Sequence, residues 1–408
     1  MSGTESQAQV IKRKAPVRVL HYFAFPGGGI GRYVHELLSR MHTVPSLAVE
    51  LACIPSYHHL KIASYPVWPK LFDITHRKPL IRRMRFAINL VVNPLRAIRR
   101  GEATRAQIIH LSTIPHVTFA IWSRRLRRTG IKLVATAHDV RRSQGLISLN
   151  YEVEQLRRLY RLCEAIFVHS EFQKKDLIDF ARVPQDKIFI VPHGPYYHGP
   201  PQGDKETLRR RYGIPVDKQV ALFFGDIRPD KNLDLFLRAM VPFKDRLFLV
   251  VAGQPKNRDG KDADYYQKLA KDLTLDGNIC WRLEYIPSDE VPNYFEMCDW
   301  VALPYSRQFT SLSGVLNVAI AYGRPVLVTK TSTMQTVLRG YEIGVEVAPD
   351  DVRAIEDGIS RLCGCLLGQT SWEFDAFLKK NSWEVNVAIT EKVYCRLLLG
   401  QNAPSQYS

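Results

Sequence analysis

Three features are scarce in this chain of 408 residues: clustered cysteines, long apolar runs and, in the first half, acidic side chains. The seven cysteines are odd in number and scattered, and only Cys363-Gly364-Cys365 brings two of them close together. Because this pair lacks a second pair of ligands, we expect reduced thiols and neither a disulfide framework nor a metal or redox site. No apolar run reaches the roughly 18 residues of a membrane-spanning helix. The N-terminus is polar through Gln9, so we expect no secretory signal and a cytoplasmic location.

The shortage of acidic residues is confined to the first 200 positions, where 31 lysines and arginines stand against 13 aspartates and glutamates. The rest of the chain carries 26 basic and 27 acidic residues, so the net charge of +17 originates in the first half. Arginines interleave with apolar residues between Leu80 and Ile98, a pattern typical of helices that bind anionic membranes. We therefore predict membrane-binding side chains at Arg82, Arg83, Arg85, Arg124, Arg125, Arg127 and Arg128.

The basic charge of the first half has two alternative interpretations. Nucleic acid binds basic proteins, but no nucleic-acid module is visible and the basic segments lack interleaved stacking aromatics. We therefore expect no nucleic-acid partner. The second alternative is a solvated basic face that has no partner at all.

Glycine and proline punctuate a chain in which apolar strands alternate with helices. The alternation predicts an α/β fold with two domains and helices on both faces of each parallel sheet. The segment 192–203 is rich in proline and glycine, which predicts the connection between the domains. We divide the chain into a loose N-terminus, a first domain, a second domain and a C-terminal helix with its tail, at residues 1–15, 16–195, 196–380 and 381–408.

Two motifs in the second half carry the strongest chemical signal. The first ends an apolar strand with a glycine turn followed by two cations, Arg228 and Lys231. The second opens an apolar helix, where free backbone N–H groups and the helix dipole favour an anion. Its small residues are Ser311, Ser313, Gly314 and Val315. Because two cations and a helix N-terminus suit a diphosphate, we predict a nucleotide-diphosphate site at the carboxyl edge of a parallel sheet. The alternative for the two cations is a solvated surface loop.

Further segments, in the same order along the chain, make the sequence resemble the retaining glycosyltransferases of the GT-B fold, family 4, over residues 15–395 or so. These segments are Pro26-Gly27-Gly28-Gly29, Thr136-Ala137-His138-Asp139, Phe167 to Phe172, Ile190 to Gly194, Ile286 to Pro292, Cys298-Asp299-Trp300 and Ser382-Trp383-Glu384. The resemblance implies two Rossmann-like βα domains that face a central cleft, with the C-terminal helix returning to the first domain. It also implies a nucleotide sugar on the second domain, an acceptor on the first, and neither a cofactor nor a metal.

The resemblance assigns roles to individual residues. Arg228 and Lys231 would stabilise negative charge on the departing diphosphate, while His138 would contact the donor sugar or help to stabilise the transition state. Gly28 and Gly29 would let the backbone approach a phosphate. The alternatives are a glycine turn that serves only packing and a strand-end histidine held by its neighbour in the chain.

The sequence departs from the family pattern at two places. Members of the commonest type carry arginine directly after the loop glycine, where this chain has Asp226, and Arg228 is expected to serve instead. The family also shows paired glutamates across the second motif, where alignment on Gly323 puts Thr310 and Val318. Thr310 can hydrogen-bond a sugar hydroxyl and is kept as a donor-binding residue, whereas a valine cannot bind a ribose diol. We predict intact diphosphate binding and altered recognition of sugar and ribose.

The expected function is transfer of a hexose, with retention, from a nucleotide-diphosphate sugar to a lipid-linked or membrane-presented glycan, as in polysaccharide biosynthesis. The protein would act on the cytoplasmic face of an anionic membrane, as a peripheral protein. One alternative is a degenerate, non-catalytic GT-B partner of an active transferase, motivated by Thr310 and Val318. A second is another GT-B chemistry, such as hydrolysis or epimerisation of a sugar nucleotide.

Overall fold

A computed structural model describes residues 15–112, 117–141, 149–256, 261–309, 313–331, 334, 340–368 and 370–399. Thr310, Ser311 and nearly all of the predicted loose N-terminus therefore lie outside the described residues. The chain divides into two compact units. The first unit comprises the chain up to Val168, Lys174–Val191 and the chain from Trp383 onward, and the second comprises His169–Gln173 and Pro192–Ser382.

The first unit is built on a seven-stranded parallel sheet, in which strand 1 lies between strands 2 and 4. The strands are β1 Val17–Phe23, β2 Leu47–Cys53, β3 Val67–Trp68, β4 Ile108–Leu111, β5 Lys132–Thr136, β6 Ala165–Val168 and β7 Ile188–Ile190. The helices that follow them are α1 Gly28–Met41, α2 Pro79–Ala103, α3 Ser123–Thr129, α4 Leu149–Leu162 and α5 Glu171–Ala181. The sheet order is β3-β2-β1-β4-β5-β6-β7. Strand β6 is buried along its whole length, as its continuous apolar sequence requires when helices cover both faces.

The second unit has the same plan with a six-stranded parallel sheet. Its strands are β8 Gln219–Phe224, β9 Leu247–Ala252, β10 Ile279–Arg282, β11 Trp300–Leu303, β12 Val326–Thr329 and β13 Gly344–Val347, in the order β10-β9-β8-β11-β12-β13. Its helices are α6 Lys205–Tyr212, α7 Leu233–Met240, α8 Ala263–Asp272, α9 Val291–Met297, α10 Gly314–Ala321, α11 Val352–Leu367 and α12 Phe374–Lys380. The predicted two Rossmann-like domains are thus confirmed.

The sheet orders place the two glycine turns at comparable positions. In each unit the strand order reverses at one strand, β1 in the first and β8 in the second. Open α/β sheets bind ligands at the carboxyl ends of strands beside such a reversal, because the following chains diverge to opposite faces and leave a crevice. The Gly28 turn follows β1 and the Gly225 turn follows β8, so both lie where each sheet can hold a ligand.

The last described helix, α13 (Trp383–Leu399), returns to the first unit, as predicted. Trp383 and Tyr394 on this helix are completely buried, and the helix packs against α1. Its apolar side chains therefore complete the core of a sheet whose strands all precede Val191 in sequence.

Candidate functional site

The loop after β8 is shaped by two glycines on neighbouring strands. Gly225 has a φ of 86° and Gly253, which follows β9, has a φ of 149°. A Cβ on Gly253 would overlap the carbonyl oxygen of Gly225, so the two turns approach each other too closely for any side chain. A Cβ on Gly225 would lie 3.3 Å from both Lys231 Nζ and a methyl carbon of Val315. The backbone at Gly225 therefore lies between the predicted cation and the first turn of α10.

Lys231 is the most deeply buried charge of this loop. Only 6% of its surface is exposed, and its Nζ donates a hydrogen bond of 3.3 Å to the carbonyl oxygen of Phe224. Burial, followed by the proximity of the Arg228 guanidinium, lowers the pKa of Lys231 to about 8. At neutral pH the amine is still mostly charged, and an anion placed beside it would raise its pKa again.

Arg228 supplies the second cation at the start of the same turn. Its guanidinium pairs with Asp230 across 3.1 Å and lies 6.0 Å from the centre of the Phe309 ring. The Arg228 side chain is 28% exposed, so solvent or a ligand can reach it. The structure thus brings a buried amine and a more accessible guanidinium together, which is the pairing expected for a diphosphate.

The start of α10 is connected to this loop through Tyr305. Ser313 caps the helix, its Oγ accepting a hydrogen bond of 3.2 Å from the N–H of Leu316. The same Oγ lies 3.1 Å from the hydroxyl of Tyr305, whose ring centre lies 5.5 Å from Lys231 Nζ. The Ser313 hydroxyl is therefore occupied by the cap, and the first-turn N–H groups of Gly314 and Val315 are the ones that can meet an anion.

The sequence analysis assigned no role to a polar cluster formed by His193, Tyr196 and Asn317 of α10. Burial lowers the pKa of His193 to about 3, and Nδ1 of this histidine lies 3.1 Å from Nδ2 of Asn317. The hydroxyl of Tyr196 lies 3.2 Å from Nε2 of the same histidine, and the N–H of Tyr196 donates to the carbonyl oxygen of Asn317. No local pattern signals this arrangement, since His193 and Asn317 meet only through folding. Val318, the next residue, is buried.

In the first unit, the structure brings His138 and the glycine-turn helix together. Gly28 has a φ of 82°, and neither it nor Gly29 has another atom within 4 Å of the position of a Cβ. His138 follows β5, and its ring lies 4.5 Å from the ring of Tyr33 on α1 in a perpendicular arrangement. The open backbone at the turn and the imidazole thus lie on the same edge of the first sheet.

The predicted membrane-binding arginines lie on α2 and α3. The outer face of α2 also exposes large apolar side chains at helical spacing, Leu80, Met84, Ile88 and Val91, with exposed fractions of 70%, 59%, 43% and 46%. We call these four residues the α2 stripe. Arg82, Arg83, Arg124, Arg127 and Arg128 are exposed, whereas Arg85 donates to the carbonyl oxygen of Thr75 and Arg125 pairs with Glu102. Within the described part of the chain, no helix is long and apolar enough to cross a bilayer.

Known proteins resemble this chain in sequence and in fold. A model described as glycosyl transferases group 1 matches residues 204–365, and one described as glycosyltransferase family 4 matches residues 27–195. The chain is 23% identical over 250 residues to a D-inositol 3-phosphate glycosyltransferase of Acidothermus cellulolyticus, covering 58% of this chain and 55% of that protein. It is 27% identical over 195 residues to the lipopolysaccharide 1,2-N-acetylglucosaminetransferase of Salmonella typhimurium, covering 46% of this chain and 50% of that protein.

The chain spans about half the length of the curated relatives it matches. Among solved structures, Anabaena HepE in complex with UDP has a TM-score of 0.72 at 12% identity, covering 93% of this chain and all of that one. A likeness at this identity concerns the fold. Since the two family models together match more than half of the residues, the chain belongs to the group 1 glycosyltransferases of family 4, which have the GT-B fold.

Proposed function

We propose that the protein is a retaining glycosyltransferase that moves a hexose from a nucleotide-diphosphate sugar to a lipid-linked or membrane-presented glycan. The observation that carries the proposal is the position of the Gly225 backbone between Lys231 and the first turn of α10, with Arg228 close to Lys231. This arrangement suits a diphosphate. The relatives support the donor class, since they are named as glycosyltransferases and the Anabaena protein is described in complex with UDP.

The chemical task of the second unit is to stabilise the departing diphosphate. As the bond to the anomeric carbon breaks, negative charge grows on the phosphate oxygens, and preorganised cations and N–H donors lower the energy of that state. Lys231 contributes most, because it is buried and negative charge that grows beside it stabilises the charged amine. Arg228 adds a guanidinium with several donors. These two cations take the place of a metal ion in the proposal.

The first unit would hold the acceptor and complete the chemistry at the sugar. In the proposal, His138 hydrogen-bonds the donor sugar or stabilises the transition state, and the open backbone at Gly28 and Gly29 approaches a phosphate. Retention of configuration is part of the same proposal. The GT-B family membership supports these assignments, because its motif order includes both segments.

The α2 stripe and its arginines support a membrane-presented acceptor. Exposed apolar side chains flanked by arginines suit an anionic membrane surface, where each nearby cation contributes about 1 kcal/mol. The Salmonella relative is named for lipopolysaccharide, a membrane-presented glycan. We propose peripheral association with the cytoplasmic face through this surface.

The first experiment is thermal stabilisation by UDP, GDP and ADP, with and without EDTA. A ligand that binds only the folded state raises the melting temperature. We expect one nucleotide to raise the melting temperature clearly, which would identify the nucleotide of the donor. We expect EDTA to leave that shift unchanged. No shift with any nucleotide would overturn the proposed donor site, and a shift abolished by EDTA would overturn its metal independence.

A second candidate is a degenerate, non-catalytic GT-B partner protein of an active transferase. The observation in its favour is Val318, which is buried and offers no polar group where the family pattern expects a glutamate. Measuring the release of nucleoside diphosphate from the sugar form of the stabilising nucleotide distinguishes the transferase from the partner protein. Slow turnover with water supports the transferase, whereas binding without turnover and stimulation of another transferase supports the partner.

A further inference from the structure

We propose that Tyr33, held in place by the returning helix α13, is the positioning residue of His138. The inference rests on the proposed role of His138 and deepens it, because it names what fixes the orientation of that imidazole. It predicts that residues of α13 affect the rate of sugar transfer although they do not contact the substrate.

The contact between the two rings is the first step of the argument. His138 comes two residues after the end of β5, and its ring centre lies 4.5 Å from that of Tyr33 with an angle of 82° between the planes. Tyr33 is 1% exposed, whereas His138 is only partly buried. An almost completely buried ring has little rotational freedom, so a partly exposed imidazole packed against it is restricted on that side.

The hydroxyl of Tyr33 is fixed by α13. Nδ2 of Asn386 donates a hydrogen bond of 3.1 Å to it, and Oγ1 of Thr390 donates one of 3.2 Å to Oδ1 of Asn386. The second bond determines which way the amide faces, because it occupies the oxygen and leaves the nitrogen for the tyrosine. Asn386 and Thr390 are almost fully buried. A buried polar chain of this kind restricts the ring to one orientation more strictly than apolar packing does.

The ring of Tyr33 is also held by Trp383, the first residue of α13. The two ring centres lie 5.1 Å apart at 64°, and Trp383 is 1% exposed. Arg40, also on α1, makes two further contacts to α13. Its guanidinium lies 5.8 Å from the centre of the Trp383 ring and forms an ion pair of 3.0 Å with Glu384. Tyr33 is therefore fixed to α13 at both its ring and its hydroxyl.

The backbone beside His138 has a separate anchor. The buried hydroxyl of Tyr160 donates to the carbonyl oxygen of Val140 at 3.1 Å, two residues beyond His138. The backbone of this turn is thus held from α4, while the imidazole is held from α1 and α13. A loss of Tyr33 is expected to release the side chain without releasing the turn.

The direct test is NMR of the side chain of His138 in the full-length protein labelled with ¹⁵N-histidine, assigned with His138→Gln. We expect Tyr33→Leu and Asn386→Ala to shift and broaden the imidazole signals of His138, and Tyr33→Phe to have a smaller effect. The matched control is Ser46→Ala, which removes another contact of α13 to the first unit, the hydrogen bond that the Ser46 hydroxyl donates to Glu391. Unchanged His138 signals in Tyr33→Leu, or equal changes in Ser46→Ala, would overturn the inference.

The functional test is a double-mutant cycle on the release of nucleoside diphosphate from UDP-glucose. Misplacing a reacting group can cost about a hundredfold in rate, so we expect Tyr33→Leu to lower kcat roughly ten- to a hundredfold with little change in KM. In the His138→Ala background, Tyr33→Leu should cost nothing further, because the group it positions is gone. Tyr33→Phe should recover part of the loss, since it keeps the ring.

The outcomes separate this inference from the proposed function. If His138→Ala slows turnover and Tyr33→Leu does not, or if the two losses multiply, the inference is wrong and the role of His138 stands. If His138→Ala turns over as fast as the natural chain, the proposed role of His138 fails and the positioning role fails with it. Because the NMR measurement needs no turnover, it decides the contact even if UDP-glucose is not a donor.

Discussion

At the scale of single residues, Lys231 makes protonation a measurable part of diphosphate binding. Its pKa of about 8 results from burial and from Arg228. A diphosphate stabilises the charged amine, so above that pH binding requires the uptake of a proton. We expect the affinity for the stabilising nucleotide to be level below pH 8 and to fall by up to about tenfold per pH unit above it. Titration calorimetry across a pH series measures this.

Two lysine variants identify the titrating group. Lys231→Met should lose most of the affinity and all of this pH dependence, while Lys256→Met, which changes a more exposed lysine paired with Asp226, should keep it. Lys231→Met should also stabilise the fold at neutral pH. Burial depresses the pKa of Lys231 below its unfolded value, so the charged amine destabilises the native state below pH 8, by about 3 kcal/mol. This destabilisation disappears as the pH rises towards the unfolded pKa. A pH dependence of nucleotide affinity that survives in Lys231→Met would show that another group titrates.

At the scale of elements, the turns after β8 and β9 depend on each other. Gly253→Ala would place a methyl group against the carbonyl oxygen of Gly225 at a φ that alanine rarely adopts. Because the obstacle is backbone, we expect a loss of ~2–4 kcal/mol in the free energy of unfolding. The control is Gly277→Ala, where nothing lies within 4 Å of the new methyl group. Equal urea midpoints for the two variants would show that the turns can separate without cost.

The α2 stripe is the second element whose role can be measured directly. Leu80→Gln combined with Met84→Gln changes two exposed apolar side chains, so the fold should be unaffected. If both insert into a membrane, binding to vesicles of phosphatidylcholine and phosphatidylglycerol should weaken by roughly ten- to a hundredfold. Leu367→Gln is the matched control, since Leu367 is 75% exposed and lies on α11 in the second unit. Vesicle flotation that is unaltered in the double variant would remove the membrane surface from the proposal.

At the scale of the whole molecule, the return of α13 makes the stability of the first unit depend on the last part of the chain. A chain that ends at Ser382 lacks the buried Trp383 and Tyr394, each of which fills core volume worth several kcal/mol. We expect amide hydrogen exchange to accelerate across β1 and β5 but to stay slow in β8 and β9 of the second unit. The second unit therefore serves as the internal control. Equal protection of β1 and β5 with and without α13 would contradict this assignment.

The local features of the sequence predicted a large part of the fold. The apolar strand expected before the glycine turn of Arg228 and Lys231 is present in the structure as β8, Gln219–Phe224. The glycine turn and the cations of the first motif follow β8 at the carboxyl edge of the second sheet, where the sequence placed them, while the diphosphate site itself stays a prediction. These predictions succeeded because strand patterning, turn chemistry and helix starts depend on residues that are neighbours in the chain.

What the sequence determined by itself is therefore the alternation of strands and helices, the family, and the identity of the loop cations Arg228 and Lys231. Only the tertiary structure decided that Lys231 is buried beside Tyr305, that His193 meets Asn317, and that Tyr33 lies between α13 and His138. The physical reason is that these contacts depend on strand order and helix packing. Both are settled by the burial of apolar surface over the whole unit, and no local spacing in the chain encodes them.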